Sequence, residues 1–455
     1  MEKAQRPQPY YRAAQLSLLL LIASQPLMSV LVQVGRSFAI PADALYLLTA
    51  ALTAIAIMRR EIVVRWHKAY WLLLFYFAAM ALSALLSQQP LRGAFKLATQ
   101  IYLLSLPMLT FNLVRDERDM CRTLKAWLWT GAVVGLLGLV TLALWLVDAS
   151  HPLVVEFSHP KGTLAEGDYP RLDISFTHAA MLANYLTVSV AVLLAVAERG
   201  WIGRRLAPPL LAAMVVTAFF SMTPGLAGLW LGLGFWTWMK LRTTRRTMAW
   251  LALAVGAAGA LPYLVAAALT PFPHSTATFA LQLPVGTLYP GARLLFWIAA
   301  FKNLVANLPF GSGIGTDAIA VPFQNPAGHL YTLSDAHNVF LNLGVQTGLP
   351  GILALVLIIS FVARKVFPLP RRIEGSAAIR LGLGLGWLNA FAVQGLVGSF
   401  EDARFLWLLF GLFLASTARP ASSRISPLSA VRQPETWSDA EPPAGAGTCA
   451  SGRSQ

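Results

Sequence analysis

Residues 247–270 read TMAWLALAVGAAGALPYLVAAALT, and the chain continues PFPHSTATFALQLPVGTLYPGAR through residue 293. The first piece carries no charge. It is long enough to cross a bilayer core as a helix, which takes about 20 apolar residues. The second piece is rich in Pro, Gly, Ser and Thr, and it opens a polar interruption that lasts until an apolar run resumes at Gly348. Elsewhere apolar runs are the rule. The 455 residues are 56% hydrophobic and 12% charged, with a mean hydropathy of +0.61. A soluble domain has about 25% charged residues. The composition predicts an all-α polytopic membrane protein.

Twelve runs are candidates for spanning helices: 13–34, 41–58, 69–87, 92–113, 125–147, 176–197, 207–222, 225–240, 247–270, 348–364, 378–398 and 403–417. The pair 207–222 and 225–240 is short and closely joined, so a re-entrant hairpin is the alternative there. The first run is longer than a signal-peptide core and lacks a small-residue cleavage site, so it reads as a retained helix. The expected organisation is one helical domain over 1–417, with loop 271–347 between helices 9 and 10. The Ala, Pro, Ser, Arg and Gly of 418–455 suit a disordered tail. No internal repeat is visible. Leu381–Gly386 alternates Leu with Gly, a pattern that lets a second helix approach closely.

Basic residues set the orientation. With the N-terminus inside and sides alternating, 27 of the 35 Lys and Arg fall on the cytoplasmic side. That is the positive-inside pattern. It places both termini in the cytoplasm and loop 271–347 on the opposite, periplasmic face. The pI near 10 then reports topology and not a nucleic-acid partner. The two cysteines, Cys121 and Cys449, both fall inside and predict no structural disulfide.

Against this bias, five arginines face outward: Arg36, Arg92, Arg171, Arg293 and Arg404. A guanidinium fork suits an anionic headgroup, whereas an interfacial arginine also simply snorkels to water. Arg36 and Arg92 suit the second role and Arg293, heading an amphipathic stretch 292–307, the first. Farther along, Ser334 or Asp335 is the expected cap of a helix beginning at Ala336. His337 would then lie in the first helical turn, where the dipole disfavours imidazolium and leaves a neutral ring able to accept a proton. Asp335 is near enough to orient that ring, although capping is its more natural task. His329, Asp335 and His337 do not have the spacing of a metal site. The turn Gly311-Ser312-Gly313-Ile314-Gly315-Thr316 lacks the Gly-Lys-Ser/Thr ending of a P-loop, so a sharp backbone turn is expected. Transport is the competing class, but the sequence shows no repeated halves, and Lys96 is the nearest approach to a mid-membrane charge.

The order of these elements resembles a family. Gly291-Ala292-Arg293…Trp297, Pro309-Phe310-Gly311-Ser312-Gly313-Ile314-Gly315-Thr316 and Ala336-His337-Asn338-Val339-Phe340-Leu341…Gly348-Leu349-Pro350-Gly351 are similar to the signature region of the O-antigen ligase and polymerase superfamily. Weaker similarity lies in Leu82-Ser83-Ala84, Gln89–Arg92, Arg171…Phe176-Thr177-His178…Leu182–Leu186 and Glu401-Asp402…Trp407–Gly411. The resemblance implies a membrane glycosyltransferase of the C type (GT-C) in the bacterial inner membrane. It implies transfer of a glycan from an undecaprenyl-diphosphate carrier in the membrane lipid to a sugar hydroxyl of the lipid A core. Sister members are polysaccharide polymerases and protein O-oligosaccharyltransferases. It implies His337 and Arg293 as the essential pair; Asp335, Asn338, Gly311, Gly313 and Gly315 are expected in support, with no cofactor, no metal and a monomer. One departure stands out. Many members carry a Ser-Arg-Gly pattern where this chain has Ser221-Met222-Thr223-Pro224-Gly225, and Arg171 is the expected substitute in the diphosphate clamp.

Overall fold

A computed structural model describes residues 8–30, 32–34, 37–159, 170–241, 245–269, 281–283, 286–288, 292–324, 330–367, 369, 373 and 375–418. Arg36, Gly291, His329, Cys449, the tail from Arg419 onward and much of 271–291 lie outside the described residues. The order of elements is α1 (Pro9–Ala23), the hairpin β1–β2 (Val32–Val34, Ser37–Ala39), α2 (Pro41–Met58), α3 (Ala69–Leu85), α4 (Pro90–Leu113) and α5 (Glu117–Val147). Next come α6 (Pro152–Phe157), the strand pair β3–β4 (Ser158–His159, Arg171–Leu172), α7 (Ala179–Glu198), α8 (Ala207–Phe219), α9 (Leu226–Leu241) and α10 (Arg246–Leu269). The hairpin β5–β6 (Leu281–Leu283, Gly286–Leu288), α11 (Ala292–Ala306) and the hairpin β7–β8 (Val321–Gln324, Leu330–Leu333) precede α12 (Val339–Val366), α13 (Gly375–Leu388) and α14 (Arg404–Thr417). The fold is mostly helical. The strands among the described residues form four antiparallel pairs confined to connections.

Among the described residues six segments are long and apolar enough to cross a membrane: α2, α4, α5, α7, α12 and Gly375–Leu396, the last being α13 extended by a π turn and a 3-10 turn. Helices α3, α8 and α14 are apolar but shorter. α7 lies at the centre, packed against α5, α8 and α13. Between lipid-embedded helices the attraction comes from close packing, because lipid is as apolar as the side chains. α13 meets α7 through glycines: a Cβ on Gly382 would stand 2.5 Å from the Ala195 Cβ. The Leu-Gly repeat is therefore a helix-packing face. Trp127 stacks on Tyr185 with 5.9 Å between ring centres, and Phe405 of α14 meets the same tyrosine edge-on. Large apolar side chains such as Trp71, Leu85, Leu146 and Val147 stay exposed around the outside, as lipid contact would require.

Two sequence expectations change. α1 ends at Ala23 instead of running to residue 34. Pro26 lacks the N–H needed to extend the helix, Ser24 and Gln25 turn their side chains back to the Leu21 carbonyl, and Met28 and Ser29 donate N–H groups to Ser175 O. The helix expected from Ala336 begins instead at Val339, capped by Asn338, whose Oδ1 accepts the Phe340 and Leu341 N–H groups at 3.0 and 3.1 Å. His337 has a left-handed backbone (φ 49), which a helix cannot include. α12 is two helical pieces joined by a kink at Gly348, whose backbone (φ 65, ψ −154) is not helical, and Pro350 removes another N–H just beyond.

The glycine turn fills that kink. Ser312 and Gly313 donate N–H groups to Val345 O and Gln346 O at 2.8 and 3.0 Å, and Ser83 Oγ adds a bond to Gln346 O at 2.7 Å. A Cβ on Gly313 (φ 102) would stand 2.2 Å from the Ser87 Cα, so only glycine fits. Gly311 and Gly315 also have positive φ, and they pack on the α12 kink and on the start of α4. The turn therefore joins α3, α4 and α12 at one end of the bundle.

Candidate functional site

Four segments meet at that end. α11 brings Arg293 in its first turn. The stretch before α12 brings Asp335 and His337. The stretch before α7 brings Arg171 and His178. The fourth, residues 396–402 between α13 and α14, holds the others in place. Its carbonyls accept from Arg293 Nη1 (Val397 O, 2.5 Å) and from Asn338 Nδ2 (Leu396 O, 3.1 Å). Its Ser399 hydroxyl donates to Asp335 Oδ1 at 2.5 Å.

Asp335 does not cap α12. Its Oδ1 accepts the His337 N–H at 2.5 Å and the Asn342 amide at 3.0 Å, and it lies 3.7 Å from His337 Nδ1. The carboxylate therefore fixes the backbone of His337 in its left-handed turn. Such strained residues persist only where the surroundings enforce them. Asn342 completes the lock, accepting the Ala336 N–H at 2.9 Å while its Nδ2 also reaches Ser399 Oγ (2.9 Å) and Glu401 Oε1 (3.3 Å). The His337 ring leans on Phe296, 6.1 Å between centres and one helical turn from Arg293. α11 thus positions both residues.

The electrostatics follow from recess and charge. Burial pushes the Arg293 guanidinium down to about 10, Arg171 adds to the shift, and Asp335 opposes it. Arg171 is likewise lowered by burial, with Asp173 opposing. Two partly desolvated guanidiniums, one of them disfavoured by the other, suit an anion. His337 is held below its ordinary value, first by burial and then by Arg293 and Arg171, against the pull of Asp335. Because His337 precedes the cap, burial first and then the two arginines, not a first-turn dipole, favour the neutral ring. For Asp335, burial works upward. The nearby His337 ring, the Ser399 and Asn342 hydrogen bonds and the His337 N–H outweigh it, and the pKa falls.

The structure also brings in residues that motif reading did not single out. His178 Nδ1 caps α7 by accepting the Met181 N–H at 3.2 Å, which leaves the proton on Nε2. Its pKa is lowered by burial, by His337 and by Arg171. Glu401 is pushed up to about 8 by burial and by Asp402, while Lys96 works the other way. Its Oε2 has no partner among the described residues. Asp402 pairs with Lys96 and accepts from Gln100 Nε2 at 3.0 Å. Both histidine and acid lay in stretches already quoted, but nothing in their local spacing says they converge.

The arginines expected to face outward separate. Arg171 and Arg293 face the cluster, and Arg171 Nε donates to Ser221 O at 3.2 Å, beside the position where the Ser-Arg-Gly arginine is missing. Arg92 lies 3.8 Å from Asp317 on the surface, and Arg404 pairs with Asp43 at 2.9 Å. Gly311, Gly313 and Gly315 are not in the charged cluster; they anchor the kink of α12. Among the described residues no group of three His, Cys, Asp or Glu side chains could hold a metal ion. No protein-family model matches the chain, and no curated protein matches it.

Proposed function

We propose that this chain is an O-antigen ligase, moving a glycan from undecaprenyl diphosphate to a sugar hydroxyl of the lipid A core at the periplasmic face of the inner membrane. In this reading twelve helices span the bilayer in a GT-C-type arrangement, both termini are cytoplasmic, and the charged cluster faces the periplasm. The observation that carries it is the convergence of Arg171 and Arg293 on a neutral His337 fixed by Asp335.

Arg293 and Arg171 grip the diphosphate through guanidinium forks and offset the charge that develops as it leaves. The sugar–diphosphate bond is already activated, so no nucleotide is required. His337 takes the proton of the acceptor hydroxyl as that oxygen attacks the anomeric carbon. The new C–O bond forms as the bond to the diphosphate breaks, and attack from the opposite face inverts the centre. A cavity of about 350 Å³ among α7, α9, α10 and α13 supports a lipid-borne donor. Leu194, Leu229, Phe235, Trp236 and Val393 line it, and Val393 is four residues from the Val397 carbonyl that holds Arg293.

The same donor chemistry serves a polysaccharide polymerase or a protein O-oligosaccharyltransferase, which differ in acceptor. Glycan profiling of a deletion strain complemented with wild type, Arg293→Ala or His337→Ala tests the reading. Polymer left on its lipid carrier with bare core lipid A identifies a ligase. Single-unit products identify a polymerase, and glycoprotein loss alone identifies a protein transferase. A transporter would leave in-vitro transfer by purified protein at zero. Lys96 gives that class little support, since it lies about 9 Å into α4 at 1.5 Å per residue and is paired with Asp402.

A further inference from the structure

A charged cavity lies at the other end of the bundle. α1 ends near Ser175, on the side of the site, because Met28 and Ser29 donate to the Ser175 carbonyl. Its first turn is therefore about 22 Å away, given 15 residues at 1.5 Å each. There α1 and the start of α5 enclose a cavity of about 670 Å³. Arg12 reaches it from α1, and Arg118 and Arg122 reach it from α5. None of the three makes an ion pair among the described residues. The two acids at the cavity are engaged. Asp119 accepts from the Tyr11 hydroxyl at 3.0 Å and the Arg115 N–H at 3.3 Å, and Asp116 caps α5 by accepting the Asp119 N–H at 2.8 Å.

Arg118 and Arg122 are four residues apart on a helix, where like charges repel. Arg12 faces them across the cavity. An anion between the two helices would relieve that repulsion and give all three a partner. The wall below it is apolar: Leu16, Leu18 and Leu19 line the cavity, and Leu16 and Leu20 are 59% and 49% exposed along α1. Basic groups at a bundle end above apolar surface match a phosphate headgroup joined to acyl chains. We propose that this pocket binds the headgroup of an anionic phospholipid of the leaflet away from the active-site end, with an acyl chain against α1. A zwitterionic lipid brings its own cation to the same three arginines and matches them less well. The proposal requires only that the chain is embedded in a membrane, not that it transfers glycans.

The test is native mass spectrometry of the full chain purified in neutral detergent, titrated separately with phosphatidylglycerol, phosphatidylcholine and inorganic phosphate. Phosphatidylglycerol should bind at least tenfold tighter than phosphatidylcholine. Each of Arg12→Gln, Arg118→Gln and Arg122→Gln should weaken it by about fivefold, as expected for one basic residue at a lipid surface. The exposed pair Arg204→Gln/Arg205→Gln should change nothing. Equal retention of both lipids, or unchanged phosphatidylglycerol binding in the three variants, overturns the proposal. So does displacement of the lipid by equimolar inorganic phosphate, which would mark a site for a soluble anion. The single substitutions are surface changes, and a monodisperse peak with unchanged unfolding confirms their fold.

Discussion

Replacing Glu401 by Gln tests whether the clamp around Asp335 depends on a protonated acid. Glu401 sits beside Asp402 and is pushed from 4.5 up to about 8. An acid whose folded pKa is raised holds more protons folded than unfolded between those values. Its contribution to stability is therefore complete below 4.5 and declines as pH rises toward 8. One pKa unit corresponds to about 1.4 kcal/mol, so wild type should lose about 2–3 kcal/mol relative to Glu401→Gln across pH 5.5–7.5. Gln keeps an oxygen for the Asn342 amide, 3.3 Å away in the wild type, and cannot ionise. The assay is reversible denaturation in mixed micelles at half-unit pH steps, taking the difference between the two proteins. Other groups are common to both, so their titration cancels to first order. A difference that stays flat with pH would show that Glu401 is charged in the folded protein and that the clamp is built on an anion. A Gln variant less stable at every pH would be as damaging.

Four further outcomes are expected. His337→Ala should lower kcat by about 10²–10⁴ with donor binding near wild type, whereas Arg293→Ala should raise the donor KM and lower kcat, with Arg293→Lys between; loss of donor binding in His337→Ala at an unchanged saturated rate would make His337 a headgroup ligand. Because burial and the two arginines hold His337 below 6.5 in the free protein, kcat/KM should be level near neutrality and fall only as pH drops below that value; an acid limb of kcat/KM centred above 6.5 contradicts the electrostatics. Gly313→Ala should cost roughly 2–4 kcal/mol, more than Gly200→Ala, since both have positive φ but only Gly313 meets backbone (Ser87 Cα, 2.2 Å); equal costs would refute the packing account of the turn. Cysteine at Ser275 should react with an impermeant thiol reagent in spheroplasts and cysteine at Ser376 should not, and the reverse pattern would put the cluster in the cytoplasm.

Helices were legible where lipid dictates composition, because a spanning segment must be apolar over most of its length. The strongly apolar runs 176–197 and 348–364 show this, falling on α7 and on the part of α12 beyond its kink. Boundaries were less legible where tertiary partners decide them. Ser334, Asp335 and Asn338 are all capable caps, and local sequence cannot rank them. Asp335 is excluded because Ser399 and Asn342, 64 and 7 residues away, occupy its carboxylate. Pro26 and Ser175 likewise shorten α1 through a contact 149 residues apart in sequence. Arg293, His337 and Arg171 could be picked out as polar groups set against the charge bias or beside a turn. His178 and Glu401 could not, since a lone histidine before a helix and a Glu-Asp pair before an apolar run are ordinary in isolation.

Segment 396–402 explains why so little of the site was local. It contributes no side chain to the two-arginine face, yet its carbonyls fix Arg293 and Asn338, its serine fixes Asp335, and its acids reach Asn342 and Lys96. These bonds tie α4, α11 and α12 to the start of α14. In the proposed reaction the arginines must wait for an anion and the histidine must stay neutral. Burial does most of this, and the guanidiniums add to it: Arg171 disfavours the charge on Arg293, and both disfavour imidazolium. A bound diphosphate would offset that positive field, so His337 would become a stronger base once the donor has arrived. Free histidine in an empty site would be the weaker one, and the acceptor proton would be drawn off mainly when there is a glycan to transfer.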